Sequence, residues 1–87
     1  MEYHINSFET ENGTVYFKEP YLVNIEGEYT INDKVLNINC HSNSIEEVVE
    51  DFCRDLGFFY NSFVLVNEKT LTDRAIDLRN YLIRLTY

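Results

Sequence analysis

The chain has 87 residues, fifteen Asp and Glu against seven Lys and Arg, and a formal net charge of −8. That size suits one domain near the lower limit of what a single core can hold without staples, and 45% hydrophobic with 15% aromatic residues exclude a disordered chain. The acidity excludes direct nucleic-acid binding and disfavours anionic membrane surfaces, because both need clustered cations, whereas Lys18, Lys34, Arg54, Lys69, Arg74, Arg79 and Arg84 are dispersed.

Met1-Glu2-Tyr3-His4-Ile5-Asn6 has neither the basic region nor the apolar core of a signal peptide. No apolar run approaches the ~18 residues that span a bilayer, so a cytoplasmic protein is expected. Residues 3–8 alternate as a strand does, and Glu11-Asn12-Gly13-Thr14 offers a tight turn through Asn-Gly. Val15-Tyr16-Phe17-Lys18 reads as the returning strand, ended near Glu19-Pro20 because Pro cannot donate to a ladder. Residues 21–25 start another apolar run, Gly27 marks a bulge or turn, and Glu28-Tyr29-Thr30-Ile31 follows. Asn32-Asp33-Lys34 reads as a second turn before a strand over residues 35–40. There Leu36, Ile38 and Cys40 share one face while Asn37, Asn39 and His41 share the other, the pattern of a sheet with one wet and one buried face.

Ser44 then opens a helix. Its side chain can accept from the backbone N–H of Glu47, and Glu47 can reach back to the N–H of Ser44. Ile45, Val48, Val49, Phe52, Leu56, Phe59, Tyr60 and Phe63 recur at spacings of three and four and build an apolar stripe. Glu46, Glu47, Glu50, Asp51, Arg54 and Asp55 form the opposite, solvated face, those nearest the start complementing the partial positive charge of the helix end. Gly57 weakens the helix by roughly 1 kcal/mol relative to Ala and marks a bend or a close packing contact. After the polar break Asn67-Glu68-Lys69, Thr70 or Thr72 can cap a second helix, with Asp73 three residues after Thr70 as a shorter-armed capping box. Leu71, Ala75, Leu78, Leu82 and Leu85 supply its seam, widened by Ile76 and Ile83. The expected fold is a single α+β domain over residues 1–87 in two layers, with an N-terminal antiparallel sheet of three or four strands and two C-terminal helices on one face.

No catalytic, metal or cofactor site is assigned. Cys40 and Cys53 make no disulfide framework and read as reduced, semi-apolar residues. Cys40 and His41 are adjacent on a strand and so point to opposite faces, which keeps them from converging on one ion. His4 and Cys53 add no ligand-spaced motif. Gly13, Gly27 and Gly57 are isolated, so there is no phosphate-cradling loop, and no Gly-x-Ser-x-Gly element occurs.

The order of edge strand, turn, strand ending in a polar knuckle, then Ser44-Ile45-Glu46-Glu47-Val48-Val49-Glu50-Asp51-Phe52 and a long amphipathic helix resembles the HicB-type antitoxin fold. In that family a strand precedes a Thr/Ser-x-Glu-Glu-Ala junction, matched here by Ser44, Glu46 and Glu47. Leu71-Thr72-Asp73-Arg74-Ala75-Ile76-Asp77-Leu78-Arg79 is also similar to a group of short prokaryotic proteins in which such a helix follows such a junction. The resemblance covers residues 14–86 and implies a prokaryotic, non-enzymatic protein that binds a toxin or another partner. HicB-type antitoxins usually add a helix-turn-helix or ribbon-helix-helix segment. Here one acidic-to-neutral helix follows Asn67, so operator binding does not carry over.

The expected function is thus a non-catalytic, antitoxin-like interaction module. It would bind a basic protein, a toxin or nuclease, through its sheet edge or its acidic helix face. Glu46, Glu47, Glu50, Asp51 and Asp55 would supply the complementary charge. Alternatives are an acidic nucleic-acid-mimicking inhibitor encoded by a phage or mobile element, a structural dimeric protein, and, least supported, an enzyme using Cys40, Cys53 or the histidines. Seven Tyr and six Phe in so short a chain place rings at a self-interface or a partner interface, or half-buried at the sheet surface, and self-association as a homodimer is expected of so small a domain.

Overall fold

The computed structural model describes residues 3–87, so Met1 and Glu2, part of the N-terminal reading above, lie outside the described residues. Strands β1 (Tyr3–Thr10), β2 (Gly13–Glu26), β3 (Glu28–Asp33) and β4 (Ile38–Ser42) precede helices α1 (Ile45–Phe63) and α2 (Asp73–Leu85). The strands form one antiparallel sheet in the order β1-β2-β3-β4, and both helices pack against it. The α+β, two-layer expectation is met with four strands.

The first hairpin turns through Glu11 and Asn12, with Thr10 paired to Gly13. Gly13 sits at φ +106°, a conformation that a Cβ would strain. β2 does not end at Pro20, as the sequence suggested. Ile5 faces Tyr21 and Ser7 faces Tyr16, so residues 17–20 of β2 stand opposite Asn6 alone. Pro20 falls inside this large bulge, where no ladder bond is asked of its nitrogen. Beyond the bulge, residues 24–26 pair with residues 28–30 around Gly27 at φ +81°.

The second expected turn is displaced. Asn32 and Asp33 remain in β3, and the reversal occupies residues 34–37, with Asn37 in the left-handed region at φ +56°. Asp33 causes the shift. Its carboxylate accepts from the backbone N–H of Val35 and of Leu36, both at 3.0 Å, which closes a turn after the strand and competes with any ladder there. Leu36 is buried even so, and the strand alternation begins only at Ile38, with Ile38 and Cys40 buried and Asn39 and His41 exposed.

At the start of α1, the N–H of Glu47 donates to Ser44 Oγ at 3.3 Å, as expected. The reciprocal arm of the capping box is absent. The N–H of Ser44 donates instead to Ser42 Oγ at 3.1 Å, and the Ser44 hydroxyl donates to Glu46 at 3.0 Å. Val48, Phe52 and Leu56 are fully buried, with Ile45, Val49, Phe59, Tyr60 and Phe63 packed around them. Gly57 is a close packing contact: a Cβ there would lie 2.6 Å from the Glu9 carbonyl oxygen. One turn earlier the Cys53 thiol lies 3.7 Å from the Ser7 carbonyl, so two small residues let α1 settle onto β1.

Thr72, not Thr70, caps α2, accepting from the N–H of Ala75 at 3.2 Å. Thr70 ends a separate 3₁₀ turn, Glu68–Thr70, whose own cap is Asn67, so the expected Thr70–Asp73 box does not form and Leu71 lies outside the helix. Leu82 is the buried residue of α2, and Leu78 and Tyr81 pack beside it. Past the helix, Thr86 is buried and bridges to Phe17, and the N–H of Tyr87 donates to the Tyr16 carbonyl at 3.0 Å. Those residues cover part of the β2 edge that β3 does not reach. Phe8, Phe17, Tyr21, Phe52 and Tyr60 join the two layers through ring contacts with centroids 4.9 to 5.6 Å apart. No helix among the described residues is long and apolar enough to cross a membrane.

Candidate functional site

Glu47, Asp51 and Asp55 are spaced four apart and form one ridge of α1, while Glu46 and Glu50 form the neighbouring one. The first ridge lies on the β4 side. Asp55 Oδ2 is 3.9 Å from the Cys40 thiol, which donates to it, and Asp51 also acts on that thiol. The opposite flank of the helix, with Cys53 and Gly57, faces β1. Glu46, Glu47 and Glu50 are exposed, and Asp51 and Asp55 are half-buried. The structure therefore places Asp51 and Asp55 beside β4, with Glu47 on the same ridge and Glu46 and Glu50 on the neighbouring one.

The ridge works against its own helix. Glu46 with Glu50, Glu47 with Asp51, and Asp51 with Asp55 are like-charge pairs four apart, each opposing the helix by about 0.2–0.5 kcal/mol. Glu46 and Glu47 are offset by their place in the first turn. Asp51 meets Arg54 at 3.1 Å, a surface pair of small worth. Glu50 and Asp55 gain no such compensation from the helix end.

The ridge overlooks the end of the sheet. β4 is its terminal strand, and among the described residues no strand pairs with its outer side. His41 projects from β4 with Nδ1 3.6 Å from Glu28, an ion pair only while the imidazole is protonated. The Cys40 thiol is pushed up from its ordinary value by burial first and then by the carboxylates of Asp55 and Asp51, with Arg54 opposing. Burial does the same to Cys53. Both thiols are therefore held in the protonated, weakly nucleophilic form at neutral pH. Among the described residues no three His, Cys, Asp or Glu side chains are placed to hold a metal ion.

A second polar cluster escaped the sequence. Asp33 is only 4% exposed, and besides its two backbone donors it accepts from the Tyr21 hydroxyl at 2.5 Å and the Tyr81 hydroxyl at 2.7 Å. Burial, reinforced by the bond to Asp33, raises the pKa of both phenols. Four donors converge on one carboxylate, which ties β2, β3 and α2 together and leaves it occupied by the fold itself. The available signal was alternation: Ile31 and Asp33 are two apart in one strand and so share its inward face.

No family model, curated protein or solved structure matches the chain.

Proposed function

We propose that the chain is a non-catalytic, antitoxin-like interaction module that binds a basic protein, a toxin or nuclease, on its β4 side. The observation that carries this reading is the Glu47–Asp51–Asp55 ridge, kept beside an open sheet edge despite like-charge repulsion within its own helix. Such a field speeds encounter with a cationic partner and disfavours anionic ones. Bound there, the module would act by steric occlusion. Two raised thiols and a fully occupied buried carboxylate favour a binder over an enzyme. The antitoxin-like character rests on the Ser44, Glu46 and Glu47 junction.

The test is purification of partners from the native host, followed by association kinetics with Glu47→Lys, Glu50→Lys and Asp51→Lys combined. The combined variant should associate about tenfold more slowly or worse at low salt. Recovery of no basic partner, or an unchanged and salt-insensitive on-rate, refutes the proposal. Equal steps of carboxylates along the ridge favour one second reading, a nucleic-acid mimic. It requires that DNA or RNA compete with the module for a nuclease. Homodimerisation belongs to the same proposal, supported by the exposure of Tyr16, Phe58 and Tyr87, and sedimentation showing a monomer at all concentrations would remove it.

A further inference from the structure

Three open stretches of the sheet, on β2, β1 and β4, are not equivalent. The free side of β2 is partly covered by Thr86 and Tyr87. On β1 the Ser7 carbonyl already accepts from the Cys53 thiol, and Arg54 lines the cleft beside Ser7, Phe8 and Glu9. The third stretch, β4, keeps five consecutive pairs with β3 and no break in register, so alternate N–H and C=O groups along its other side face outward. Proteins usually guard such an edge with Lys, Pro or a bulge. Ile38-Asn39-Cys40-His41-Ser42 has none of them. Its flank bears carboxylates instead.

We propose that β4 accepts an extended, basic segment of the partner as a fifth strand. The segment's main chain would pair with the open side of Ile38–Ser42, and its Lys or Arg side chains on the helix side would meet Glu47, Asp51 and Asp55. The proposal rests on the binding function argued above and names the form the partner takes at that site. A fifth strand would run about 4.8 Å outside β4, and its helix-side side chains would project to the same sheet face as Cys40, the face on which the aspartates lie. Its alternate side chains would stand about 6.7 Å apart, against about 6 Å between carboxylates four apart on a helix, so more than one cation can find an acidic partner. An acidic strand would meet the same ridge in repulsion, which gives the edge a choice of partner.

The test uses the isotope-labelled full chain at low ionic strength with two probes, a blocked nine-residue peptide alternating Lys and Thr and the same peptide N-methylated at every amide. The second keeps the charge and loses the donors. The first peptide should slow exchange of the outward amides of Ile38–Ser42 by about tenfold or more, and the second should bind about tenfold more weakly. Equal binding of the two, with β4 exchange unchanged, overturns strand addition and leaves the charge reading standing. Failure of both peptides to bind overturns strand addition together with the charge reading.

Discussion

Tyr81→Phe removes one hydroxyl and leaves the ring in place, so it isolates the bond that fastens α2 to the sheet. The Tyr81 hydroxyl donates to Asp33 at 2.7 Å, and the acceptor is 4% exposed. A hydrogen bond to a charged group contributes about 1.5–3 kcal/mol, and the half-exposed ring of Tyr81 places this one in the lower part of that range, about 1.5–2 kcal/mol. In a domain of this size each kcal/mol corresponds to a Tm change of about 4–8 °C, so the variant should melt about 10 °C below the parent. Tyr21→Phe, with the shorter bond of 2.5 Å, should lose at least as much. The assay is thermal and urea unfolding followed by circular dichroism, extended to a cycle with Asp33→Asn. Residues sharing one carboxylate should couple by about 0.5–3 kcal/mol. A Tyr81→Phe variant within about 0.5 kcal/mol of the parent, or additive behaviour in the cycle, would refute the role given to Asp33.

Gly57→Ala sets two effects against each other: Ala gains about 1 kcal/mol of helix propensity, but its Cβ would press on the Glu9 carbonyl from 2.6 Å, an overpacking typically worth about 1–3 kcal/mol. The variant should be less stable by about 1 kcal/mol, with a lower urea midpoint and an unchanged slope, while Ser62→Ala on the same helix should be neutral or mildly stabilising. A stabilised Gly57→Ala would mean that α1 does not rest on β1 so closely. At alkaline pH the unfolded chain loses protons first, because Cys40, Cys53, Tyr21 and Tyr81 all titrate higher when folded. Their stabilising contribution is whole below about pH 9, falls as the thiols' ordinary range is passed, and falls more steeply above about pH 10, where free tyrosine ionises. Urea midpoints measured from pH 8 upward should show this decline, and Tyr21→Phe should flatten its upper part.

The helical half was legible because its signals are local. Ser44 and the spacing of Val48, Phe52 and Leu56 lie within a few turns of one another and require no knowledge of the sheet. The sheet was legible in outline and wrong at two joints, both where a side chain or a bulge acts over distance. Pro20 looked like a terminus because the four-against-one bulge that tolerates it depends on where β1 lies. Residues 35–37 looked like strand because their alternation is apolar and polar, whereas the carboxylate of Asp33 folds them into a turn. Asp33 looked like an ordinary turn residue, since its other partners lie 12 and 48 residues away in sequence. The acidic face was visible as composition. Which of its two ridges lies beside β4 was not, because that depends on how α1 is rotated against the sheet.

The bridge from Thr86 to Phe17 sets an order of events in time. Strands β1 to β4 pair neighbour with neighbour, so each hairpin can close soon after it is made. The covering of β2 joins residues far apart in sequence, and a chain emerging from the ribosome must leave that edge bare until Thr86 follows α2 out. A chain truncated after Leu85 should accordingly aggregate faster than the intact one at equal concentration, since a bare edge is a template for pairing with another molecule. Synthesis and solubility thus meet at a residue bridged to β2, a different strand from the one proposed to take the partner. The short stretch that follows α2 is the one that withdraws an unwanted edge from circulation, while the edge beside the carboxylates stays open.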